Sequence, residues 1–182
     1  MEEDNMGYQR LYKNLIDIIK EEQAKLGFRK EAIRLYYPLS SLNHFFEAKD
    51  SEEEMLNKLQ EMPEFIKETL GDIKVTSKKE RFCFHIPEEG SSYVHENTKP
   101  NEFIKELVEI VGKHGCKMED IIALFKQHDQ DADVEEINNG EFDYLIRFSQ
   151  ENEDPYYYCF HDEGCHIIYH RFLPEDYEDF EF

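Results

Sequence analysis

One phrase occurs twice in this chain. Residues 81–103 read RFCFHIPEEGSSYVHENTKPNEF, and residues 157–177 read YYCFHDEGCHIIYHRFLPEDY. Cys83-Phe84-His85, Glu89-Gly90, Tyr93, His95 and Pro100 match Cys159-Phe160-His161, Glu163-Gly164, Tyr169, His170 and Pro174, with two residues gapped before the glycine. Duplication of a small unit constrains architecture. Each copy reads as strand, turn, strand, which puts Phe84 and Phe160 at equivalent core positions.

Hydrophobic periodicity places the other elements. Tyr8, Leu11, Tyr12, Leu15, Ile16 and Ile19 share one helical face, and Gly27 is placed to end that helix. Residues 33–37 form one strand or an irregular connector stopped by Pro38, and Ser40 or Ser41 can cap a short helix carrying Leu42, Phe45 and Phe46. Ser51 and Glu54 form a capping box, and Pro63 interrupts the helical run that continues to Gly71. From Ile73 the period becomes alternating, so residues 72–96 read as a three-stranded meander with Tyr93–Glu96 as its last strand. Helices over 101–114 and 118–128 follow, then an acidic loop, then a second meander over 142–172. The fold class is α+β, with helices packed on antiparallel three-stranded meanders. We expect one domain over residues 1–182, with sub-units 1–96 and 97–182 as an alternative division. The tail aromatics Tyr177, Phe180 and Phe182 could dock on the body, while the acids between them argue for a partly loose end.

Charge narrows the partners. The chain carries 42 acids against 21 lysines and arginines, and residues 127–182 alone hold 17 acids and 2 bases, net −15. That sign repels phosphate backbones, so no nucleic-acid partner is expected, whereas a basic protein or small cations are favoured. Solvation alone also explains such a surface. No apolar run suits a membrane span, the N-terminus MEEDNMGYQR is acidic, and a cytoplasmic location follows. Four cysteines in such a chain are thiols or ligands rather than a disulfide framework.

Two constellations could hold a metal. Cys83 and His85, and Cys159 and His161, alternate on strands and therefore share a face. A three-residue turn at 162–164 would set His161 opposite Cys165 and complete a Cys-His-Cys cluster suited to zinc, although no Cys-x-x-Cys spacing is present. Small buried thiols beside strand histidines are the plainer account. Residues 124–146 resemble a calcium-binding helix-loop-helix hand: Asp129, Asp131 and Asp133 alternate, and Glu141-Phe142 stands where the closing glutamate would be. Val134 replaces the turn glycine, the loop is one residue too long, and a strand pattern follows it. A degenerate acidic turn explains the same residues.

No phosphate loop, Gly-x-Ser-x-Gly or His-Glu-x-x-His is present, and no spacing selects a catalytic acid–base pair. The helix pair at 101–128 faintly resembles a DNA-binding helix-turn-helix. Its second helix offers Lys117 and Lys126 against Glu119 and Asp120, which argues against that use.

Tyr36-Tyr37-Pro38-Leu39, the Lys/Glu/Asn/Ile-rich composition and the late Cys159-Phe160-His161 hairpin resemble a small uncharacterised family of anaerobic Gram-positive bacteria, a domain of unknown function. The resemblance spans the chain and implies no activity or cofactor. The leading expectation is a non-enzymatic interaction or regulatory protein with an acidic surface. A metal-binding protein or metalloenzyme built on the Cys-x-His strands is the first alternative, and a divalent-cation loop at 129–141 the second.

Overall fold

Leu11, Leu15 and Ile19 recur at helical spacing and are fully buried, so one stripe of α1 (Glu2–Leu26) lies in a core. Gly27 ends the helix at φ +75°, a conformation that glycine adopts without a Cβ clash. The computed structural model describes residues 2–179. The chain divides into two units, Met1–Asn101 and Glu102–Phe182. With helices and two antiparallel sheets, the fold is α+β as the sequence indicates.

Unit 1 holds α1, β1 (Ile33–Pro38), α2 (Leu39–Phe46), α3 (Glu52–Gln60), α4 (Glu64–Leu70), β2 (Lys74–Lys78), β3 (Arg81–Ile86) and α5 (Glu88–Asn97). The capping box opens α3: the Ser51 N–H donates to Glu54 Oε2 at 2.9 Å, and the Glu54 N–H donates back to Ser51 Oγ at 3.4 Å. The sheet order is β1-β3-β2, all antiparallel. One face packs into the core through Leu35, Tyr37, Phe82, Phe84 and Ile86. The buried Tyr37 hydroxyl is satisfied by donating to Asn14 Oδ1 of α1 at 2.7 Å.

The expected meander over 72–96 is corrected here. Its third strand is β1, distant in sequence, while residues 88–97 are helical. Pro87 stands before the helix, Glu88 and Glu89 complement its N-terminal dipole, and Gly90, Ser91 and Val94 form its buried side. Helical spacing outweighs the strand preference of Tyr93 and Val94.

Unit 2 holds α6 (Glu102–Val111), α7 (Met118–His128), β4 (Asp133–Glu136), β5 (Tyr144–Arg147), β6 (Tyr157–Asp162), β7 (Ile167–Phe172) and α8 (Pro174–Glu178). Its sheet runs β4-β5-β6-β7, so the expected meander over 142–172 is present with one more strand. β4 falls in the stretch read as an acidic loop. Val134 stands opposite Ile146, and Arg147 binds Asp133 at 2.7 Å and Glu135 at 3.4 Å across the pair. On one sheet face Tyr158 and Phe160 meet rings from the helices: Phe103 and Phe125 lie 4.7 Å apart, and Tyr158 sits 5.1 Å from Phe125. On the other, Leu145 and Cys159 join Phe142 in a smaller core that Phe172 and Tyr177 pack against. Of the tail aromatics, Tyr177 docks, while Phe180 and Phe182 lie outside the described residues.

The duplicated phrase does not form a duplicated unit. Both copies begin as strands whose phenylalanines, Phe84 and Phe160, are fully buried. They then diverge into a helix in one copy and a hairpin in the other. The shared Glu-Gly serves two purposes. Gly90 permits close helix packing, whereas Gly164 occupies a turn at φ +84°.

Candidate functional site

A concave surface of unit 2 lies between α6 and α7. α6 buries Phe103, Ile104 and Leu107, and α7 buries Ile121, Leu124 and Phe125. Between them lies a groove of about 660 Å³, lined by apolar Ile110 and Ala123 with the edge of the buried Leu124, by the carboxylates of Glu106, Glu109 and Asp120, and by Lys113. Those carboxylates are held loosely. Glu109 lies 3.5 Å from Lys113 and Glu106 3.2 Å from His128, both exposed pairs of a kind worth roughly 0–1 kcal/mol. Asp120 accepts the Lys117 N–H at 3.3 Å.

At the Gly115 end of the groove two turns meet. The Gly115 N–H donates to the Cys165 carbonyl at 3.1 Å, and the His114 and His166 rings lie 5.6 Å apart. Cys116 is buried in the groove wall. Burial raises its pKa, Asp120 and Asp162 add to the shift and Lys113 opposes it, so the thiol stays protonated at neutral pH. It is a neutral wall rather than an activated nucleophile. Sequence reasoning missed this groove. Its one signal was the glycine between two amphipathic helices, with Ile110 left over on α6.

The Cys-His residues lie in both units. Cys83 and His85 project from the half-buried side of β3 in unit 1, between Tyr36 and Thr76 and between Arg34 and Lys74 respectively. In unit 2, Cys159 is fully buried against Phe142 and Leu145, with its pKa pushed up to about 12 by burial and secondarily by Glu141. His161 Nδ1 lies 3.0 Å from Asp143 Oδ2, which also accepts the Asp162 N–H at 2.8 Å. Cys165 is exposed at the turn tip and does not face His161. The Glu163 N–H donates to the His166 carbonyl, Gly164 and Cys165 form a two-residue turn, and Ile168 stands opposite His161. The expected three-residue turn is corrected to that shorter one, which suits the left-handed Gly164.

The hand-like residues are spread along the chain. Asp129 ends α7, where its Oδ2 accepts the Ser149 N–H at 2.7 Å and its Oδ1 the Asp131 N–H at 3.0 Å. The Ser149 and Asp131 hydrogen bonds hold its carboxyl below the usual range. Asp133 lies in β4 bound to Arg147, Asp131 is exposed, and Glu141 sits in the turn before β5. A strand therefore occupies the place of the ring that the loop would need to close around calcium. Among the described residues no three His, Cys, Asp or Glu side chains gather as metal ligands.

No helix among the described residues is long and apolar enough to cross a membrane. A family model described as a domain of unknown function from E. rectale matches residues 8–181. No curated protein and no solved structure matches the chain.

Proposed function

Since the chain belongs to the DUF3877 family, the domain-of-unknown-function family of an anaerobic Gram-positive bacterium that its sequence resembles, we propose a function from its own geometry: a protein-interaction module. Unit 2 takes a Lys/Arg-rich amphipathic segment of a partner protein along the α6–α7 groove. The observation that carries this reading is the pairing of an apolar floor with a carboxylate rim, in a unit holding 22 acids and 6 lysines and arginines. A guest arginine can replace Lys113 at Glu109 at little cost, and the surrounding field speeds a cationic segment towards the groove. All four cysteines are free thiols, which supports action in the reducing cytoplasm.

Fluorescence anisotropy of a labelled Lys/Arg-rich peptide containing two leucines tests this. Saturable binding that weakens with salt and falls about tenfold in Glu109→Lys/Asp120→Lys is expected. Equal binding by that variant, or no binding to the wild type, overturns it.

A further inference from the structure

The outward face of the unit 1 sheet carries the opposite charge. Cross-strand register sets Arg34, His85 and Lys74 in one row, Tyr36, Cys83 and Thr76 in the next, and Pro38, Arg81 and Lys78 in the third. Strand geometry puts the two cationic rows about 13 Å apart with Tyr36 midway, across a face roughly 10 Å wide. Within those rows there is no acid. Arg34, Lys74, Lys78 and Arg81 are exposed, and among the described residues no carboxylate forms an ion pair with any of them. Tyr36 is 54% exposed and Arg81 lies over its ring at 5.3 Å.

Acids outnumber lysines and arginines two to one in this chain. Four cations that share a face and pair with no carboxylate are therefore a clear departure from its average surface. An exposed tyrosine stacked with arginine is also the residue pairing that interfaces concentrate. The face fits a protein surface bearing exposed carboxylates without matching cations.

We propose that this basic face docks on the acidic surface of unit 2 of a second copy of the chain. The inference rests on the reading of unit 2 as a cation-accepting surface, and it names a second copy as a basic partner. Charge complementarity selects that occupant: four cations in two rows meet a unit of net −16. Net repulsion between two acidic chains opposes the contact, so salt acts in two directions. At about 0.1 M the Debye length of about 10 Å screens distant charges and leaves touching pairs, and at about 1 M the contact itself is screened.

Sedimentation equilibrium of the full chain tests the proposal. At about 0.1 M salt the mass should rise with concentration above 21.9 kDa, and at about 1 M it should return to that value. Lys74→Glu/Lys78→Glu/Arg81→Glu should weaken association about tenfold or more. Glu106→Lys/Glu109→Lys/Asp120→Lys, on the acidic surface that the reading of unit 2 rests on, should do the same, and mixing the two variants should restore association. The neutral set Lys74→Gln/Lys78→Gln/Arg81→Gln serves if charge reversal unfolds unit 1, as circular dichroism would report. A monomer at every concentration and salt overturns the proposal, as does self-association that the basic-face variants leave intact. A monomer that binds a single-stranded oligonucleotide through this face also overturns it. If the peptide still binds unit 2 while the chain stays monomeric, self-docking alone falls and the interaction module stands.

Discussion

Gly90 approaches the Leu70 carbonyl oxygen so closely that a Cβ on Gly90 would lie 2.5 Å from it. The same carbon would lie 2.8 Å from Ile86 Cγ2. The C-terminal end of α4 and the start of α5 therefore touch through backbone, and glycine is required for its size at a helical position.

Gly90→Ala should destabilise the protein by about 1–3 kcal/mol, because the obstructing atom is backbone and cannot rotate away. A shift in the urea midpoint at constant slope would measure it. A gain in stability from the better helix former would show that α4 and α5 are not in contact there.

Phe160→Ala should cost about 3–5 kcal/mol, as truncation of a fully buried phenyl ring does. Its ring lies 6.1 Å from both Phe125 and Tyr169, between the α7 side and the neighbouring strand. A cost below about 1 kcal/mol would show that the ring carries no core packing.

Cys159 predicts a loss of stability at alkaline pH. The unfolded thiol ionises near its ordinary value of about 8.5, while the folded one is held protonated to about 12. A raised folded pKa stabilises fully below the unfolded value, and that contribution is lost as pH rises towards 12. Denaturant midpoints at about pH 8 and about pH 10.5 should differ more in the wild type than in Cys159→Ala. Equal differences would contradict it. Thiol labelling of the native protein should modify the exposed Cys165 first and the buried Cys116 and Cys159 only on unfolding.

Much of the fold was legible because its signals are local. The α1 stripe of Leu11, Leu15 and Ile19, the Ser51–Glu54 capping box and the alternation through Phe82, Phe84 and Ile86 each depend on neighbours a few residues away. The pairing of β1 with β3 was not legible, since no local spacing ties Leu35 to Phe84. Tyr93 misled because one turn of helix and one short strand present similar apolar content. β4 was hidden by acids that suit an exposed edge strand. The site was less legible still. A groove forms from what α6 and α7 leave uncovered, and the basic sheet face depends on three strands that only the register aligns.

A basic partner segment held along the α6–α7 groove of unit 2 would be seen directly by NMR. Amide chemical shifts, followed while a Lys/Arg-rich peptide is titrated into the full chain, test it most directly. Saturable shifts centred on Glu106, Glu109, Asp120 and Leu124, shrinking as salt is raised, are expected. Shifts absent from α6 and α7, or unchanged by salt, would contradict it.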